Sequence, residues 1–364
     1  MTTPSPKPAR AETPSDTVRA SVVRLEHQWF PVLQSSELGR RVPVPVMLQN
    51  DRLVLFRDAQ GHAHALFDRC PHRNVPLSLG KVDRRQGTLE CSYHGWQFAG
   101  DGRCTHVPSL AGAIKEACHA RAYATREHQG LIWVYSTPGE LPRRAPYRFE
   151  YVDRPGYTSV VQKVEAQGTL FSTLENALDV PHTAFLHKGL FRSKSRNLSI
   201  TANVTRTADR VEVEYVGEPR PEGLVARVLS PSGGMVTHHD RFLLPSIAQV
   251  EYRIGDENHI FVDSVMTPVS DFVTRIHAIV SFRTRLPARL IKPLVKPLAL
   301  QIFKQDAVIL ERQTDTIRKT GGERFASTDV DVIGRHMWRL LRDAERGRPA
   351  EDVTTHTEQT TLIL

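Results

Sequence analysis

The sequence predicts an α+β protein of two domains, and three features carry this prediction. Short segments with strand-like alternation, separated by Gly, Pro and Asp, occupy the chain as far as Tyr135. Strand patterns recur between Leu198 and Thr284, and long apolar-periodic segments come late, at Leu290–Arg318 and Val332–Glu345. A chain of 364 residues is long enough to bury two cores. Strands first and long helices late are typical of an α+β arrangement.

The first half has the pattern of a small antiparallel β domain. Two alternating segments, Arg52–Arg57 and His64–Phe67, flank a turn at Asp58–Gly61 and so predict a hairpin. Gly100-Asp101-Gly102 predicts another tight turn. Further short strands are predicted at Trp29–Val32, Val42–Met47, Thr88–Cys91, Trp96–Phe98 and Gly130–Tyr135.

The second half opens after a linker. Pro138, Pro142 and Pro146 punctuate a basic stretch without periodicity, which is typical of a domain junction. A strand at Thr158–Val164 and a helix at Thr169–Leu178 are then predicted. The later strands are predicted at Leu198–Thr205, Arg210–Tyr215, Arg241–Tyr252, His259–Thr267 and Val273–Thr284. The predicted boundaries are a disordered tail at 1–24, domains at 25–145 and 146–346, and a flexible tail at 347–364.

The charge and hydropathy patterns exclude several classes of protein. The net charge is +8, but the basic residues are scattered and form no long run interleaved with aromatics, so nucleic acid is not an expected partner. The first 20 residues lack the apolar core of a secretory signal, and no apolar run approaches the ~20 residues of a membrane span. A cytoplasmic protein is expected. The segment Leu286–Phe303 has the pattern of a core-facing helix with a basic edge, although an interfacial helix has a similar pattern.

The strongest motif pairs two cysteines with two histidines. Cys70-Pro71-His72 is followed after 18 residues by Cys91-Ser92-Tyr93-His94, so two loops offer the same two donor types. On a [2Fe–2S] cluster, replacing two thiolates by imidazoles raises the reduction potential. A structural zinc site also uses two Cys and two His, but usually in the order Cys, Cys, His, His. The alternation of Cys and His therefore favours the cluster over zinc.

The segments LFDRCPHRNVPLSLG and CSYHGWQF resemble the two ligand loops of the Rieske family. The resemblance implies that Cys70 and Cys91 bind one iron of the cluster and that His72 and His94 bind the other. The remaining cysteines, Cys104 and Cys118, match no ligand position and are expected to be free thiols.

A second candidate metal site lies about 90 residues further on. His182 and His187 are five residues apart, and Asp179 precedes the first by three. Five residues on a regular helix point the two rings in different directions, so a shared metal requires a break in the helix, for which Pro181 supplies a reason. Alone, such a pair is more often structural than metal-binding. After a Rieske motif it resembles the D-x-x-H-x4-H segment of Rieske oxygenases.

The resemblance to Rieske non-haem iron oxygenases also points to a third ligand. In KQDAVILERQ, the match indicates Asp306, which would complete a two-histidine, one-carboxylate site for Fe(II) with His182 and His187. Glu311 is the alternative carboxylate. Asp179 is expected to hydrogen-bond a ligand histidine and, by the resemblance, to connect this iron with the cluster of a neighbouring subunit in a head-to-tail homotrimer.

The resemblance implies a Rieske β domain followed by a helix-grip, START-like catalytic domain. It implies a terminal oxygenase of the α-subunit type that activates O2 at Fe(II), with electrons from NAD(P)H delivered through a separate reductase or ferredoxin. The expected substrate is a hydrophobic, cyclic or aromatic small molecule, which is hydroxylated or demethylated. An electron carrier fused to a ligand-binding domain is the alternative. Five aromatic residues are candidates either for the lining of a substrate pocket or for the core: Phe171, Phe185, Phe191, Phe242 and Phe261. For most of them the core is favoured.

Overall fold

The predicted α+β architecture is confirmed. The computed structural model describes residues 20–187, 199–218, 236–255, 258–284, 287–348 and 355–363. Within them, an N-terminal domain of small antiparallel sheets is followed by a C-terminal domain in which helices cover one large antiparallel sheet.

The N-terminal domain is built from short strands that pair with near neighbours in sequence. Its strands are β1 (Trp29–Gln34), β2 (Val44–Leu48), β3 (Asp51–Arg57), β4 (Ala63–Phe67), β5 (Lys81–Asp83), β6 (Thr88–Glu90), β7 (Gln97–Phe98), β8 (Cys104–His106), β9 (Ala122–Tyr123), β10 (Thr125–His128) and β11 (Leu131–Tyr135). They form sheets of order β1-β11-β10, β2-β3-β4-β9 and β5-β6-β7-β8. Both predicted hairpins are present, as β3–β4 and β7–β8.

The C-terminal domain is dominated by one sheet. Its strands are β12 (Thr158–Ala166), β13 (Ser199–Arg206), β14 (Arg210–Val216), β15 (Val236–Leu243), β16 (Ile247–Ile254), β17 (Asn258–Ser270), β18 (Val273–Arg283) and β19 (His356–Ile363). They are antiparallel in the order β12-β18-β17-β16-β15-β14-β13-β19. The helices are α1 (Leu170–Leu178), α2 (Thr183–Leu186), α3 (Ala288–Thr320) and α4 (Gly334–Glu345).

One predicted strand is wrong. Arg241–Tyr252 was expected as a single strand, whereas the chain turns at Leu244–Ser246 and forms β15 and β16. Apolar residues continue through the turn, so the alternation alone does not reveal it. Pro245 is the missed signal, because proline cannot donate a hydrogen bond inside a central strand.

Helix α3 runs through two prolines. Pro293 and Pro297 were expected to kink or delay the helix, yet it begins at Ala288 and continues to Thr320. Ile291 and Leu298 pack against Phe282 and its apolar neighbours on the sheet, and this packing offsets the lost hydrogen bonds. The core-facing interpretation of this segment agrees with that packing. In the described part of the chain, no helix is long and apolar enough to cross a membrane.

The two domains are joined by hydrogen bonds and by a shared core. The Thr267 hydroxyl donates to the Pro31 carbonyl over 2.6 Å, and the Arg275 guanidinium donates to the Val32 carbonyl over 2.9 Å. One apolar cluster includes Val32 from β1 and Met266 from β17. In addition to clusters confined to each domain, the two domains therefore share a core, and this packing fixes one domain against the other.

The predicted tails need correction at both ends. Residues 1–19 lie outside the described residues, but Val22 is buried and the Val23 amide donates to Glu345 of α4 over 2.6 Å, so the domain begins before residue 25. The expected flexible C-terminal tail contains β19, which pairs along its length with β13. Polar side chains had suggested a loose tail, but an edge strand requires few apolar residues.

Strand β19 is fastened to α4 by an ionic cluster. His336 Nε2 lies 3.0 Å from Glu358 Oε1, His356 Nε2 lies 3.3 Å from Glu358 Oε2, and Arg335 also contacts Glu358. These His and Glu donors lie within 4.8 Å of one another, as metal ligands do. However, Arg206 Nη1 approaches His336 Nδ1 at 3.3 Å, and two adjacent guanidinium groups oppose a bound cation. The cluster is therefore best explained as an ionic clamp.

We predict that Glu358→Gln destabilises the fold by about 1–2 kcal/mol at pH 7, because charge-assisted hydrogen bonds to Arg335 and His336 are weakened. Against the effect of burial, hydrogen bonds from His336, His356 and Arg335 lower the pKa of Glu358 to about 2. This stabilisation is therefore present above about pH 4.5 and is lost as the pH falls towards 2. Urea unfolding at several pH values measures it. Thr357→Ser, on the same strand and exposed, is the control, and equal losses in both variants would contradict the clamp.

Candidate metal centres

The four Rieske-type donors lie on two loops of matching construction. The Cys70 amide donates to the Val75 carbonyl and the Cys91 amide donates to the Trp96 carbonyl, each over 2.8 Å. Four residues after each cysteine, Asn74 and Gly95 have φ angles of 61° and 68° and donate back to the cysteine carbonyl. Asn and Gly are the residues that adopt this left-handed conformation readily. Local sequence thus gives both loops the same shape.

These loops bring the donor side chains together. The Cys70 and Cys91 side chains are buried, and the His72 and His94 rings lie 4.5 Å apart. The His72 ring stacks on Trp96 at 4.6 Å, which fixes its orientation. Burial, together with the adjacent Cys91 thiol, raises the pKa of Cys70 to about 11. Metal binding would remove that proton.

The arrangement fits a two-iron cluster better than one zinc ion. A tetrahedral zinc site requires all four donor atoms around one point, with bonds of roughly 2.0–2.3 Å. Among the described residues, two groups have three donor atoms within 4.8 Å of one another, and neither group includes Cys70, His72, Cys91 or His94. In addition, His72 Nδ1 is buried without a hydrogen-bond partner, as expected of an atom that ligates a metal.

The second donor set is assembled where helix α1 stops. Thr169 caps the start of α1 by accepting from the Ser172 amide, and the helix ends at Leu178. Asp179 is extended, and α2 starts after His182. The predicted break between the two histidines and α1 is therefore present. His182 and His187 are the N-cap and C-cap residues of α2, and at His187 (φ −103°, ψ 42°) the chain leaves the helical conformation. Their rings are therefore not held to the angular spacing of a regular helix.

The structure brings His182, His187 and Asp306 together. His187 Nε2 lies 3.1 Å from Asp306 Oδ1, His182 Nε2 lies 3.7 Å from the same oxygen, and the two Nε2 atoms are 3.3 Å apart. Donors about 2.0–2.2 Å from a single ion are separated by roughly 3–3.5 Å. Two of the three separations fall in this range and the third, at 3.7 Å, lies just beyond it, so the three atoms approach the spacing of a two-histidine, one-carboxylate metal site.

The outer ring nitrogens of both histidines have oxygen partners. His182 Nδ1 contacts the main-chain carbonyl of Asp179, and His187 Nδ1 lies 2.8 Å from Gln305 Oε1. Each oxygen can accept from an Nδ1–H group, so the neutral form of each ring presents Nε2 as the metal-binding atom, as the site requires. Sequence reasoning missed Gln305, although it adjoins Asp306.

The two carboxylates that the sequence left in competition occupy different positions. The Asp306 side chain is 15% exposed and faces both histidines, whereas Glu311 is exposed on another face of α3. Asp179 was expected to reach a ligand histidine through its carboxylate. Its Oδ2 lies 3.5 Å from His182 Nδ1, while its carbonyl makes the closer contact.

An apolar groove of about 670 Å³ lies beside this second donor set. It is lined by Leu186, Pro297, Leu300, Gln301, Lys304, Gln305, Val308 and Ile309. The core position favoured for most of the five phenylalanines is confirmed for Phe171, Phe242 and Phe261, which are buried, whereas Phe185 is 76% exposed. Phe191 lies outside the described residues. The groove residues were missed because they are spaced along one helix face, a pattern shared with core helices.

Other histidines on the sheet make ion pairs. His238 lies between Glu218 Oε2, at 2.5 Å, and Asp240 Oδ1, at 3.0 Å. His259 Nε2 contacts Glu251 over 2.9 Å. These contacts agree with the structural role that the sequence suggested for them. Both cysteines outside the ligand loops, Cys104 and Cys118, are free thiols.

Comparison with known proteins matches both halves of the chain. Residues 28–124 match the Rieske [2Fe-2S] domain, and residues 169–346 match the vanillate O-demethylase oxygenase C-terminal domain. The oxygenase subunit of 3-chlorobenzoate-3,4-dioxygenase from Comamonas testosteroni is 33% identical over 168 residues, 45% of this chain and 38% of that protein. The oxygenase subunit of 5,5'-dehydrodivanillate O-demethylase from Sphingobium sp. is 34% identical over 172 residues, 45% of this chain and 39% of that protein.

Solved structures share the whole fold. Dicamba monooxygenase bound to 3,6-dichlorosalicylic acid superposes with a TM-score of 0.77 at 22% identity, covering 89% of this chain and 98% of the other. The sequence matches to the two curated relatives span under half of their lengths. The fold and the two donor sets define a protein with a Rieske domain and a separate set of two histidines and one carboxylate. The chain belongs to the Rieske non-haem iron oxygenase family, with a C-terminal domain of the vanillate O-demethylase type.

A half-buried acid, Glu175, lies on α1 one turn before Asp179. Burial raises the pKa of Glu175 to about 7, and repulsion from Asp179, Asp331 and Glu323 adds to the shift. A Cβ atom at Gly334 would lie 2.5 Å from Glu175 Oε1, so α4 begins directly against this carboxyl. Glu175 was not singled out from the sequence, because only tertiary packing buries it.

We predict that Glu175→Gln stabilises the folded chain at pH 8 but not at pH 5. The carboxyl keeps its proton up to about pH 7 when folded and loses it near 4.5 when unfolded, so wild-type stability falls as the pH rises through this window. The amide removes that loss, a gain on the order of 1–3 kcal/mol at pH 8. Urea unfolding at both pH values measures it. Glu311 is exposed, so Glu311→Gln is the control. An equal gain in unfolding free energy at pH 8 in this variant would show a general effect of removing a negative charge.

Proposed function

We propose that this chain is a terminal oxygenase that oxidises a hydrophobic cyclic or aromatic small molecule. Cys70, His72, Cys91 and His94 would hold a [2Fe–2S] cluster, and His182, His187 and Asp306 would hold a ferrous ion. When bound, these groups supply single electrons and activate dioxygen. One observation carries the proposal: the chain contains a second, separate donor set, which an electron carrier does not need.

The residues around the second donor set have distinct tasks. Three donors on one side leave the opposite side of an ion open for O2 and substrate. The Asp179 carbonyl and Gln305 orient the two imidazoles before any ion binds. The Asn176 amide lies 3.5 Å from Asp306 Oδ1 and limits the rotation of that carboxylate. The site is thus preorganised by side chains from α1, α2 and α3.

The apolar groove beside the donor set supports an apolar substrate. Its wall consists mainly of leucine, proline, valine and isoleucine side chains, with Gln301, Lys304 and Gln305 as polar groups. Its volume of about 670 Å³ is in the range of small-molecule sites. The relatives act on chlorobenzoate and dehydrodivanillate, by their names, and a substituted aromatic compound is a consistent substrate class here.

Partners and assembly complete the proposal. Electrons would come from NAD(P)H through a ferredoxin or reductase, and the scattered positive charge suits an acidic donor. Asp179 would connect the iron site with His72 or His94 of a neighbouring subunit in a homotrimer with head-to-tail contacts. Its carboxylate is 34% exposed, and the His182 proton is taken by its carbonyl, so the carboxylate is accessible to such a partner. A cytoplasmic location agrees with the two reduced thiol ligands that the cluster requires.

We predict that the wild-type chain binds three irons, two in the cluster and one at the mononuclear site. Asp306→Ala should lose the mononuclear iron. The variant should keep the visible spectrum of the cluster, contain two irons and lose turnover, because an already open site loses one of three ligands. Glu311→Ala, from the exposed face of the same helix, is the matched control and should retain three irons. Iron and labile sulfide analysis of anaerobically purified protein measures this. Two irons in fully loaded wild type would favour the electron carrier instead.

We predict that Asp179→Asn retains three irons and the trimer but transfers electrons slowly. The asparagine keeps the carbonyl that orients His182 and removes only the negative charge of the side chain. Reoxidation of the pre-reduced cluster by O2 in a single turnover should fall at least tenfold. Wild-type reoxidation in the variant, or an active monomeric wild type by sedimentation, would show that Asp179 has only a local structural role.

A further inference from the structure

Gln305 lies at the meeting point of two elements that supply the second donor set. It is next to Asp306 on α3, and its Oε1 lies 2.8 Å from Nδ1 of His187, a residue that follows α2. His187 is 2% exposed, so its ring nitrogens are shielded from water that would otherwise compete for them. A side chain of α3 therefore helps to orient this imidazole through its Nδ1 atom.

The contact also fixes which nitrogen carries the proton. The amide oxygen of Gln305 can only accept, so Nδ1 must donate, and the neutral ring that binds an ion presents the lone pair of Nε2. Nε2 is the atom that lies 3.1 Å from Asp306 Oδ1 and 3.3 Å from His182 Nε2, on the side where an ion would bind. The ring orientation and the tautomer together direct the Nε2 lone pair of His187 towards the point that Asp306 and His182 also face.

The two histidines are anchored in different ways. His182 Nδ1 is held by the main-chain carbonyl of Asp179, which no substitution removes. His187 Nδ1 is held by a side chain, which can be replaced. One ligand histidine therefore has a main-chain acceptor and the other has a side-chain acceptor. Because of this difference, replacing Gln305 removes the hydrogen bond of His187 and leaves that of His182 in place.

The acceptor on His187 is a neutral amide. A carboxylate in this position would pull the Nδ1 proton more strongly, make the imidazole more basic and add a negative charge beside a site that already contains Asp306. An amide orients the ring without that charge. Gln305 also lines the apolar groove, where an ionised side chain would cost free energy of desolvation.

We infer that Gln305 is a positioning residue that presents His187 Nε2 to the mononuclear iron through its hydrogen bond to Nδ1. This inference rests on the proposed iron site. Loss of such an outer hydrogen bond typically weakens metal binding 10–100-fold, by comparison with other metal sites of this kind. Gln305→Leu should therefore bind Fe(II) at least tenfold more weakly, while Gln305→Glu should bind it at least as tightly as wild type.

The test is a competition for Fe(II) against a chromophoric chelator, carried out anaerobically on protein with an intact cluster. Gln301→Leu is the matched control, because Gln301 lies one turn earlier on α3 and lines the same groove. It should leave Fe(II) affinity unchanged. The visible spectrum of the cluster and the unfolding midpoint show whether each variant is folded. If Gln305→Leu is too unstable to measure, Gln305→Asn replaces it in the test. Its shorter side chain does not reach Nδ1, so it should also weaken Fe(II) binding.

A second readout does not depend on turnover. In protein loaded with Co(II) at the mononuclear site, the Nδ1 protons of both ligand histidines should give paramagnetically shifted NMR signals that disappear in D2O. In Gln305→Leu, the His187 signal should broaden or vanish through faster exchange with water, while the His182 signal remains. Loss of both signals, or of neither, would contradict the positioning role.

The outcomes separate this inference from the proposed function. If wild type and Asp306→Ala compete equally for Fe(II), the iron site itself is wrong. If those two differ but Gln305→Leu equals wild type in affinity and in NMR, the iron site stands and the role of Gln305 is overturned. Equal weakening in Gln305→Leu and Gln301→Leu would indicate an effect of the groove and would also overturn it.

Discussion

The packing of α3 over the sheet and against α1 is the constraint on which the second metal centre depends. Leu310 of α3 belongs to the same apolar cluster as Leu170 and Leu174 of α1. Gly168 permits the close approach, since a Cβ atom there would lie 3.5 Å from Leu310 and 2.7 Å from Thr173 Oγ1. Because Asp306 is one turn before Leu310, this contact determines how far its carboxylate lies from the histidines.

The two metal centres are built by opposite strategies. The Rieske-type loops are local: each closes on itself with the same pair of main-chain hydrogen bonds, and each carries one thiol and one imidazole. The second centre is assembled from segments more than 100 residues apart, and it has hydrogen bonds on the outer side of both imidazoles. A closed, sulfur-rich set suits electron transfer, whereas an open nitrogen and oxygen set suits reaction with an external molecule.

The shared core between the domains sets the position of one centre relative to the other within the chain. Val32 and Met266 belong to one apolar cluster, and hydrogen bonds from Thr267 and Arg275 reach main-chain carbonyls of β1. Buried hydrogen bonds of this kind make relative motion of the domains costly. Rigidity of this kind suits a protein in which the two donor sets must stay at a fixed separation within the chain.

By itself, the sequence determined the features that are local in the chain. The Cys-His spacing, Asn74 and Gly95 specify the two cluster loops, and Pro181 indicates the break between α1 and His187, because turn geometry depends on adjacent residues. Alternation also located most strands and the hairpins. It joined β15 and β16 into one strand, since apolar residues continue through the turn.

Only the tertiary structure decided which distant groups meet. It brought Asp306 and not Glu311 to the histidines, because helix packing determines which face of α3 is turned inward. It placed Gln305 on His187, raised the pKa of Glu175 by burial, and paired a polar tail segment with β13 as β19. Each of these depends on contacts between residues far apart in the chain, and no local pattern encodes such contacts.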